Sequence, residues 1–200
     1  AASISVDGNM IISGITTLGT TSFTADATVN SITVGKGANS VANNTVLGEG
    51  ALDASVTGNN NTAIGKNVLT ALTSGAENTA VGSAALAANT TGNNNTGIGF
   101  GSLDANTTGD QNTSVGSYSL SANTTADNNT ALGYNALGTN TTGASCTVVG
   151  STAGDANTTG LNLTAIGFNA AGANTTGDNN TAVGKDALAS STTATNLVAV

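Results

Sequence analysis

The sequence predicts an all-β protein whose chain winds into a parallel β-solenoid, or β-roll. Three observations predict it: a strict 17-residue repeat, apolar residues that alternate with small or polar ones within each repeat, and a glycine that ends each first alternating segment. A short, strict period of this kind indicates a stack in which each coil packs only on its neighbours. We therefore divide the 200 residues into an N-terminal segment, residues 1–43, and a repeat region, residues 44–200.

Residues 1–43 do not carry the repeat and are expected to form a β-rich oligomerising collar or shaft. A turn followed by a strand is predicted at residues 6–14, and further short segments follow it. A segment this small cannot bury its own larger apolar side chains, whereas three copies wound together could. These side chains are Ile11, Leu18, Phe23, Val29 and Ile32.

From Asn44 onward, a tetrad of threonine, a small residue, an aliphatic residue and glycine recurs every 17 residues without insertion or deletion. Nine coils end at Asn196, and Asn78 to Asn94 is a clean example. Leu197 to Val200 begin a tenth coil as an apolar strand. Because an open solenoid end exposes its core and unpaired backbone groups, we expect this strand to be covered by a further domain or by the next subunit of a fibre.

Each coil is predicted to hold two short strands, of the patterns Asn-Thr-Ala-Val-Gly and Ala-Leu-x-Ala-Asn. Side chains alternate across a strand, so threonine and the aliphatic residue share one face and the small residue takes the other. We assign the aliphatic face and the leucine of the second strand to the core. The predicted core is Ile64, Val81, Leu86, Ile98, Leu103, Val115, Leu120, Leu132, Leu137, Ile166, Val183 and Leu188.

The small residues of the first strand are then predicted to point outward. Ala63, Ala80 and Ala131 are examples of this column. A smooth apolar column suits the close approach of another chain, so it predicts an oligomer, most simply a parallel homotrimer.

Asparagine recurs at the first position of seven coils and at the twelfth position of six. Stacked coils place like residues about 4.8 Å apart, so these side-chain amides are expected to bond to one another up each column. Cys146 replaces one asparagine of the first column and is expected to be a small filler, with no partner for an internal disulfide.

The sixth and seventh positions of the coil vary most, and all aromatic residues of the repeat region lie there. A turn in so narrow a coil cannot bury them, so they are expected to line one edge of the rod. Two interpretations stay open: a recognition ridge exposed to a ligand, or rings that pack between neighbouring chains. The candidate ridge is Lys66, Phe100, Tyr118, Tyr134, Phe168 and Lys185.

Composition argues against several functions. The chain has no His, only three basic residues and a net charge of −8, so a catalytic site and a nucleic-acid partner are not expected. No apolar run is long enough to span a membrane. Asp53, Asp104 and Asp155 recur three coils apart, too far from one another to share a metal ion, so they are expected to be solvated. We predict no cofactor and no metal.

The pattern Asn-Thr-Ala-Val-Gly-x-x-Ala-Leu-x-Ala-Asn-Thr-Thr-Gly, with its lead-in at residues 29–38, resembles the repeats of bacteriophage tail-fibre proteins. These repeats are related in style to the head domains of trimeric autotransporter adhesins. The resemblance covers roughly residues 29–200, with a repeat longer than is typical of the autotransporter heads. It implies a left-handed parallel β-roll, three chains around one axis, and attachment to a host surface.

Three functions remain open. The first is a structural fibre of a phage virion, a trimeric rod for attachment to a host-surface glycan or protein. The second is a bacterial surface adhesin or extracellular filament whose subunits stack head to tail. The third is an ice-binding solenoid, suggested by columns of threonine pairs such as Thr107 and Thr108, although adjacent residues of a strand face opposite ways.

Overall fold

A computed structural model describes residues 3–4, 10–11 and 26–200. A two-residue antiparallel pair joins β1 (Ser3–Ile4) to β2 (Met10–Ile11). A single twelve-stranded sheet then runs in chain order from β3 to β14. Its strands are β3 (Ala27–Val29), β4 (Ile32–Gly35), β5 (Thr45–Gly48), β6 (Thr62–Ile64), β7 (Thr79–Val81), β8 (Thr96–Ile98), β9 (Thr113–Val115), β10 (Thr130–Leu132), β11 (Thr147–Val149), β12 (Thr164–Ile166), β13 (Thr181–Val183) and β14 (Val198–Ala199).

From β5 to β14 each strand pairs in parallel with the strand one repeat later, and the register never shifts. Thr96 lies opposite Thr113, and Ile98 lies opposite Val115. One strand per coil therefore gives a parallel β-solenoid with a rise of about 4.8 Å per coil, so that nine coils span about 43 Å. The predicted fold class and the predicted period are confirmed.

The second predicted strand of each coil is wrong. Ala84 and Leu86 have φ angles of 59° and 51°, and their counterparts in the other coils are also left-handed. Alternating left-handed residues turn the backbone sharply and cannot form an extended strand. The coils still bond to each other here, since the Leu86 N–H donates to the Ser102 carbonyl at 3.0 Å.

The face of the first strand that enters the core is the opposite of the predicted one. Threonine and the aliphatic residue share a face, as alternation requires, but this face points outward: Leu132 is 46% exposed, whereas Ala131 is fully buried. The leucines at the ninth position are placed as predicted, with Leu137 fully buried. Wrongly assigned to the core are Ile64, Val81, Ile98, Val115, Leu132, Ile166 and Val183; correctly assigned are Leu86, Leu103, Leu120 and Leu137, and Leu188 is partly buried.

The width of the coil explains this orientation. In the four coils from residue 78 to residue 145 the interior holds one leucine each, and the facing residue of the strand is small. The first two coils are filled more fully, with Leu69 and Leu72 both buried in the second. Where leucine is missing from the ninth position, larger residues compensate elsewhere: Gly154 lies beside Val148 and Leu163, both fully buried. A Cβ at Gly154 would lie 3.1 Å from Leu163 Cδ2 and 3.5 Å from Val148 Cγ2. The small residues therefore line the core, and the prediction that Ala63, Ala80 and Ala131 face another chain is wrong.

The first asparagine column is buried and bonds mainly to the backbone. Asn112 Nδ2 donates to the Ala126 carbonyl at 2.8 Å, and its Oδ1 accepts the Asn129 N–H at 3.0 Å. Each such asparagine thereby ties its own coil closed and fastens the next coil. Bonds between side-chain amides are fewer in this column, as from Asn112 Nδ2 to Asn95 Oδ1 at 3.2 Å.

The second asparagine column forms the predicted amide ladder. Asn106 Nδ2 donates to Asn89 Oδ1 at 3.0 Å, and Asn123 Nδ2 donates to Asn106 Oδ1 at 2.8 Å. Each amide also donates to a carbonyl of its own coil, as from Asn106 to Gly109 at 3.0 Å. Among the described residues, no buried side-chain nitrogen or oxygen lacks a hydrogen-bond partner. The core is thus partly polar without leaving polar atoms unpaired.

The glycine that ends each strand is required by the close stacking of coils. Gly99 has a φ of +133°, and a Cβ built there would lie 2.5 Å from the Gly116 carbonyl oxygen. Any side chain would therefore strain the backbone and push the next coil away. This requirement accounts for the unbroken glycine column.

An antiparallel hairpin covers the first coil. Strand β4 pairs with β3 and with β5, and the Ala38 N–H donates to the Leu52 carbonyl at 3.0 Å. The Asp26 carboxylate accepts the backbone N–H groups of Lys36 and Gly37 at 2.7 and 2.6 Å. Ile32 is 42% exposed in the single chain. Leu18 and Phe23, which the collar prediction includes, lie outside the described residues, as does most of the predicted strand at residues 6–14.

Candidate binding surfaces

The candidate ridge lies in the turn that follows each strand glycine, and its side chains are exposed. The exposed fractions are 50% for Phe100, 42% for Tyr118, 57% for Tyr134 and 52% for Phe168. The left-handed residue at the seventh position turns the chain outward here, with a φ of 59° at Tyr118. Rings at this point have no room in the coil interior, so the predicted placement along one edge is confirmed.

Three aromatic rings of the ridge fall in one column. Phe100, Tyr134 and Phe168 share the sixth position and are two coils apart, while Ser117 and Ser151 hold that position in the coils between them. Because the register is unshifted, neighbouring rings of this aromatic row lie about 10 Å apart along the rod.

Direct contacts within the ridge are few. The rings of Phe100 and Tyr118 meet edge to face, with centroids 5.2 Å apart. Lys185 Nζ lies 5.9 Å from the centroid of the Phe168 ring and 3.8 Å from the Asp186 carboxylate. Lys66 Nζ pairs with Glu49 at 3.2 Å. Because these ion pairs are exposed, they contribute little to stability.

A polar strip runs beside the aromatic row. Asn135 Nδ2 donates to Asp155 Oδ2 at 3.5 Å, and Asn169 Nδ2 donates to Asp186 Oδ1 at 2.9 Å. Burial raises the pKa of Asp104 and of Asp155, although hydrogen bonds from backbone N–H groups oppose the shift. These two carboxylates are therefore less solvated than expected. Within the described residues, no group of three or more acidic, His or Cys side chains is placed to hold a metal ion.

The outward side of strands β5 to β13 forms a second surface, which we call the sheet face. It consists of a threonine column and an aliphatic column in strict register; Leu47, Ile98, Leu132 and Ile166 are each 38–46% exposed. The aliphatic column is the apolar half of this face and runs about 43 Å along the rod without a break. The sequence-based assignment missed this face because it placed the aliphatic column in the core.

The threonine pairs at the thirteenth and fourteenth positions divide into two kinds. Thr107 Oγ1 donates to the Thr124 carbonyl at 3.0 Å. Each threonine at the thirteenth position, beginning with Thr73 and ending with Thr175, donates in the same way to the next coil. The hydroxyls of this column therefore tie coils together. Thr108 and its counterparts are exposed instead. The two columns therefore do not form a single flat threonine face.

A cavity of about 390 Å³ lies between the hairpin and the first coil. Asp26, Thr33, Gly37, Leu52 and Asp53 are among its lining residues. The Asp26 carboxylate is already held by two backbone N–H groups. The cavity therefore lies at the junction of the hairpin and the solenoid, which are joined by the pairing of β4 with β5.

Cys146 is fully buried in the first asparagine column, where its N–H donates to Asn129 Oδ1 at 2.9 Å. Burial raises the pKa of its thiol. We expect no labelling of native Cys146 by iodoacetamide at neutral pH and full labelling in denaturant, because the thiolate is both scarce and covered. Mass spectrometry measures the labelling.

The matched control for this labelling experiment is a Cys146→Ser chain that also carries Thr142→Cys. Thr142 is exposed in the preceding coil, so its cysteine should be labelled quickly in the native protein. Rapid native labelling of Cys146 would contradict its burial.

In the part of the chain that the structure describes, no helix has the length and apolar character needed to cross a membrane. A comparison with protein-family models, with curated proteins and with solved structures finds no match to the chain.

Proposed function

We propose that the chain forms the rigid rod of an attachment fibre, assembled as a parallel homotrimer whose chains meet through the sheet face. The phage tail fibre is the form that the sequence resemblance implies. A bacterial surface adhesin or extracellular filament would use the same rod. A phage origin predicts capsid and tail genes beside the coding sequence, whereas a bacterial origin predicts a secretion leader.

The sheet face is the observation that carries this proposal. An unbroken aliphatic column, with Leu132 46% and Ile98 38% exposed, presents apolar surface to water in every coil. Burying this column against other chains releases that water, and burial of apolar surface is the main driving force of association. Because the column is in strict register, each of its aliphatic residues can contact the equivalent residue of a parallel neighbouring chain in every coil.

Rigidity follows from how the coils are fastened. Backbone bonds, the buried asparagine amides and the threonine hydroxyls all cross from one coil to the next. Each coil is therefore held along its whole circuit. A rod of this kind can hold a recognition surface away from its base.

Glutamate on the sheet face is expected to dissociate the oligomer. A chain with Leu132→Glu and Ile166→Glu places two carboxylates in the apolar interface, where desolvating a charge costs several kcal/mol. Sedimentation equilibrium at micromolar concentration should therefore give a trimer for the unmodified chain and a monomer for the variant.

Leu161→Glu is the matched control, because Leu161 is 40% exposed, as is Ile166, but lies outside the sheet face. This variant should remain trimeric. An unmodified chain that sediments as a monomer would refute the proposal, and dissociation by Leu161→Glu would show that a different surface joins the chains.

The sheet face also favours ice binding as a second candidate function. Thr79, Thr96 and Thr113 are examples of hydroxyls spaced about 4.8 Å apart along the rod, beside a hydrophobic column. A regular, flat array of hydroxyl and methyl groups is a surface on which water can order. Measuring thermal hysteresis tests this function: activity in the unmodified chain that is lost in the Leu132→Glu, Ile166→Glu chain supports it, and absence of hysteresis refutes it.

A further inference from the structure

We infer that the aromatic row of Phe100, Tyr134 and Phe168 binds an uncharged, extended β-1,4-linked polysaccharide that lies along the rod axis. The inference rests on the proposed attachment function and names the ligand class of its ridge. Four features support it: the spacing of the rings, the serines between them, the polar strip beside them and the charge of the chain.

The spacing of the rings suits such a strand. The three rings are exposed and lie about 10 Å apart in one straight column. In an extended β-1,4-linked chain each sugar is turned over relative to the last, so the same sugar face recurs at every second unit, at nearly this interval. Alternate sugars can therefore stack their C–H faces on successive rings, which is a favourable contact for an aromatic surface.

The serines match the sugars between the stacked ones. Ser117 and Ser151 occupy the sixth position in the coils that separate the rings. Their short side chains leave room for an inverted sugar and offer a hydroxyl to it. A row of aromatic rings in every coil would be spaced at about 4.8 Å, too close for one ring per sugar pair.

The polar strip supplies hydrogen bonds on one side of the row. Asn135 with Asp155, and Asn169 with Asp186, place amides and carboxylates beside the rings. Exposed aromatic platforms combined with a few convergent polar groups form a site that both holds and orients a ligand. Sugar hydroxyls can donate to the carboxylates and accept from the amides.

Charge selects among polysaccharides. The net charge of the chain is −8. Asp155 and Asp186 bond to the asparagines that follow Tyr134 and Phe168. Lys185, the cation beside the Phe168 ring, is paired with Asp186. A polysaccharide of uronic acids or sulfated sugars would be repelled by this field. Uncharged glucan or chitin-like chains would not.

Isothermal titration with cellohexaose, chitohexaose and maltohexaose tests the inference. Both β-1,4-linked hexasaccharides are long enough to cover all three rings, whereas maltohexaose is α-1,4-linked and curved. We expect at least one of the two extended hexasaccharides to bind and maltohexaose to bind about tenfold more weakly or not at all. Equal binding of maltohexaose, or no binding by either extended hexasaccharide, would overturn the inference.

Moving one ring tests the spacing directly. The double variant Phe168→Ser, Ser151→Phe keeps three aromatic residues in the column but brings the last two within about 4.8 Å of each other. We expect an affinity for the bound hexasaccharide about tenfold lower, because the third ring no longer meets a sugar face. Unchanged affinity would show that the spacing does not matter and would overturn the inference.

The matched control is Leu161→Ser, which removes an exposed apolar side chain outside the row and should bind as tightly as the unmodified chain. Sedimentation of the same samples separates this inference from the proposed function. A trimer that binds no hexasaccharide overturns only the ligand assignment, whereas a monomer that binds with the expected spacing dependence overturns only the oligomeric rod.

Discussion

Replacing Leu120 with alanine is expected to lower the free energy of unfolding by about 2–5 kcal/mol. Leu120 is fully buried, and the buried Ser114 and Ser119 of the same coil are too short to fill the space that its side chain would leave. The loss therefore combines the transfer of the side chain with an unfilled cavity. Urea denaturation at a fixed protein concentration measures it, because the proposed association would also contribute to apparent stability.

Val115→Ala is the companion variant, because Val115 lies on the outward side of its strand. In the background of Leu132→Glu and Ile166→Glu, which is designed to remove the proposed association, Val115→Ala should lower the free energy of unfolding by less than about 1 kcal/mol. If Val115→Ala were as costly as Leu120→Ala, the aliphatic column would belong to the core after all.

Replacing Asn112 with alanine is expected to lower the free energy of unfolding by about 1–3 kcal/mol, since it leaves the buried Asn129 N–H without an acceptor and removes one of two donors from the Ala126 carbonyl. The Ala126 carbonyl loses the donor at 2.8 Å, and the Asn129 N–H loses the acceptor at 3.0 Å. The Ala126 carbonyl keeps the Asn123 amide as a donor at 3.1 Å, whereas the Asn129 N–H lies where water does not reach and its desolvation is then uncompensated. Urea denaturation again gives the difference.

Asn59→Ala is the control for this change, because Asn59 is exposed and outside both columns. Its stability should differ from that of the unmodified chain by less than about 0.5 kcal/mol. Equal costs for the two asparagines would mean that the buried amide contributes no more than a surface one.

The period and fold class could be predicted because they depend on a local pattern repeated without error. A glycine after every strand, such as Gly99, and threonine two residues before every aliphatic position indicate a stacked coil. An insertion would have broken the register, and none occurs. Parallel pairing of like residues follows from the repeat alone.

The inward face could not be predicted from alternation, because alternation gives two faces without saying which one is inside. Hydrophobicity suggested the aliphatic column, but the narrow coil leaves little room beside the leucine of the ninth position, such as Leu120, so the column lies outside. A signal was present in the sequence: where Gly154 replaces that leucine, the small-residue column holds Val148 and the asparagine column next holds Leu163. Such compensation indicates that these positions share one space.

The second segment of the coil was mistaken for a strand because its pattern alternates as a strand does. Leucine favours extended or helical backbone, and its left-handed conformation at Leu86 is set by the need to close the coil within 17 residues. Tertiary closure thus overrides local preference. The position of the ridge could be predicted, because its rings are too large for the interior of the coil. The sheet face could not be predicted, because it depends on which side of the strand faces outward.

The hairpin on the first coil has a consequence for how the chain folds. A coil that forms on an existing neighbour gains its cross-coil bonds at once, whereas an isolated first coil must close its loop with nothing to pair against. Strand β4 supplies such a neighbour by a short-range antiparallel contact with β5. We therefore expect β3, β4 and β5 to nucleate folding and the remaining coils to add one after another toward β14, in the direction in which a ribosome delivers them.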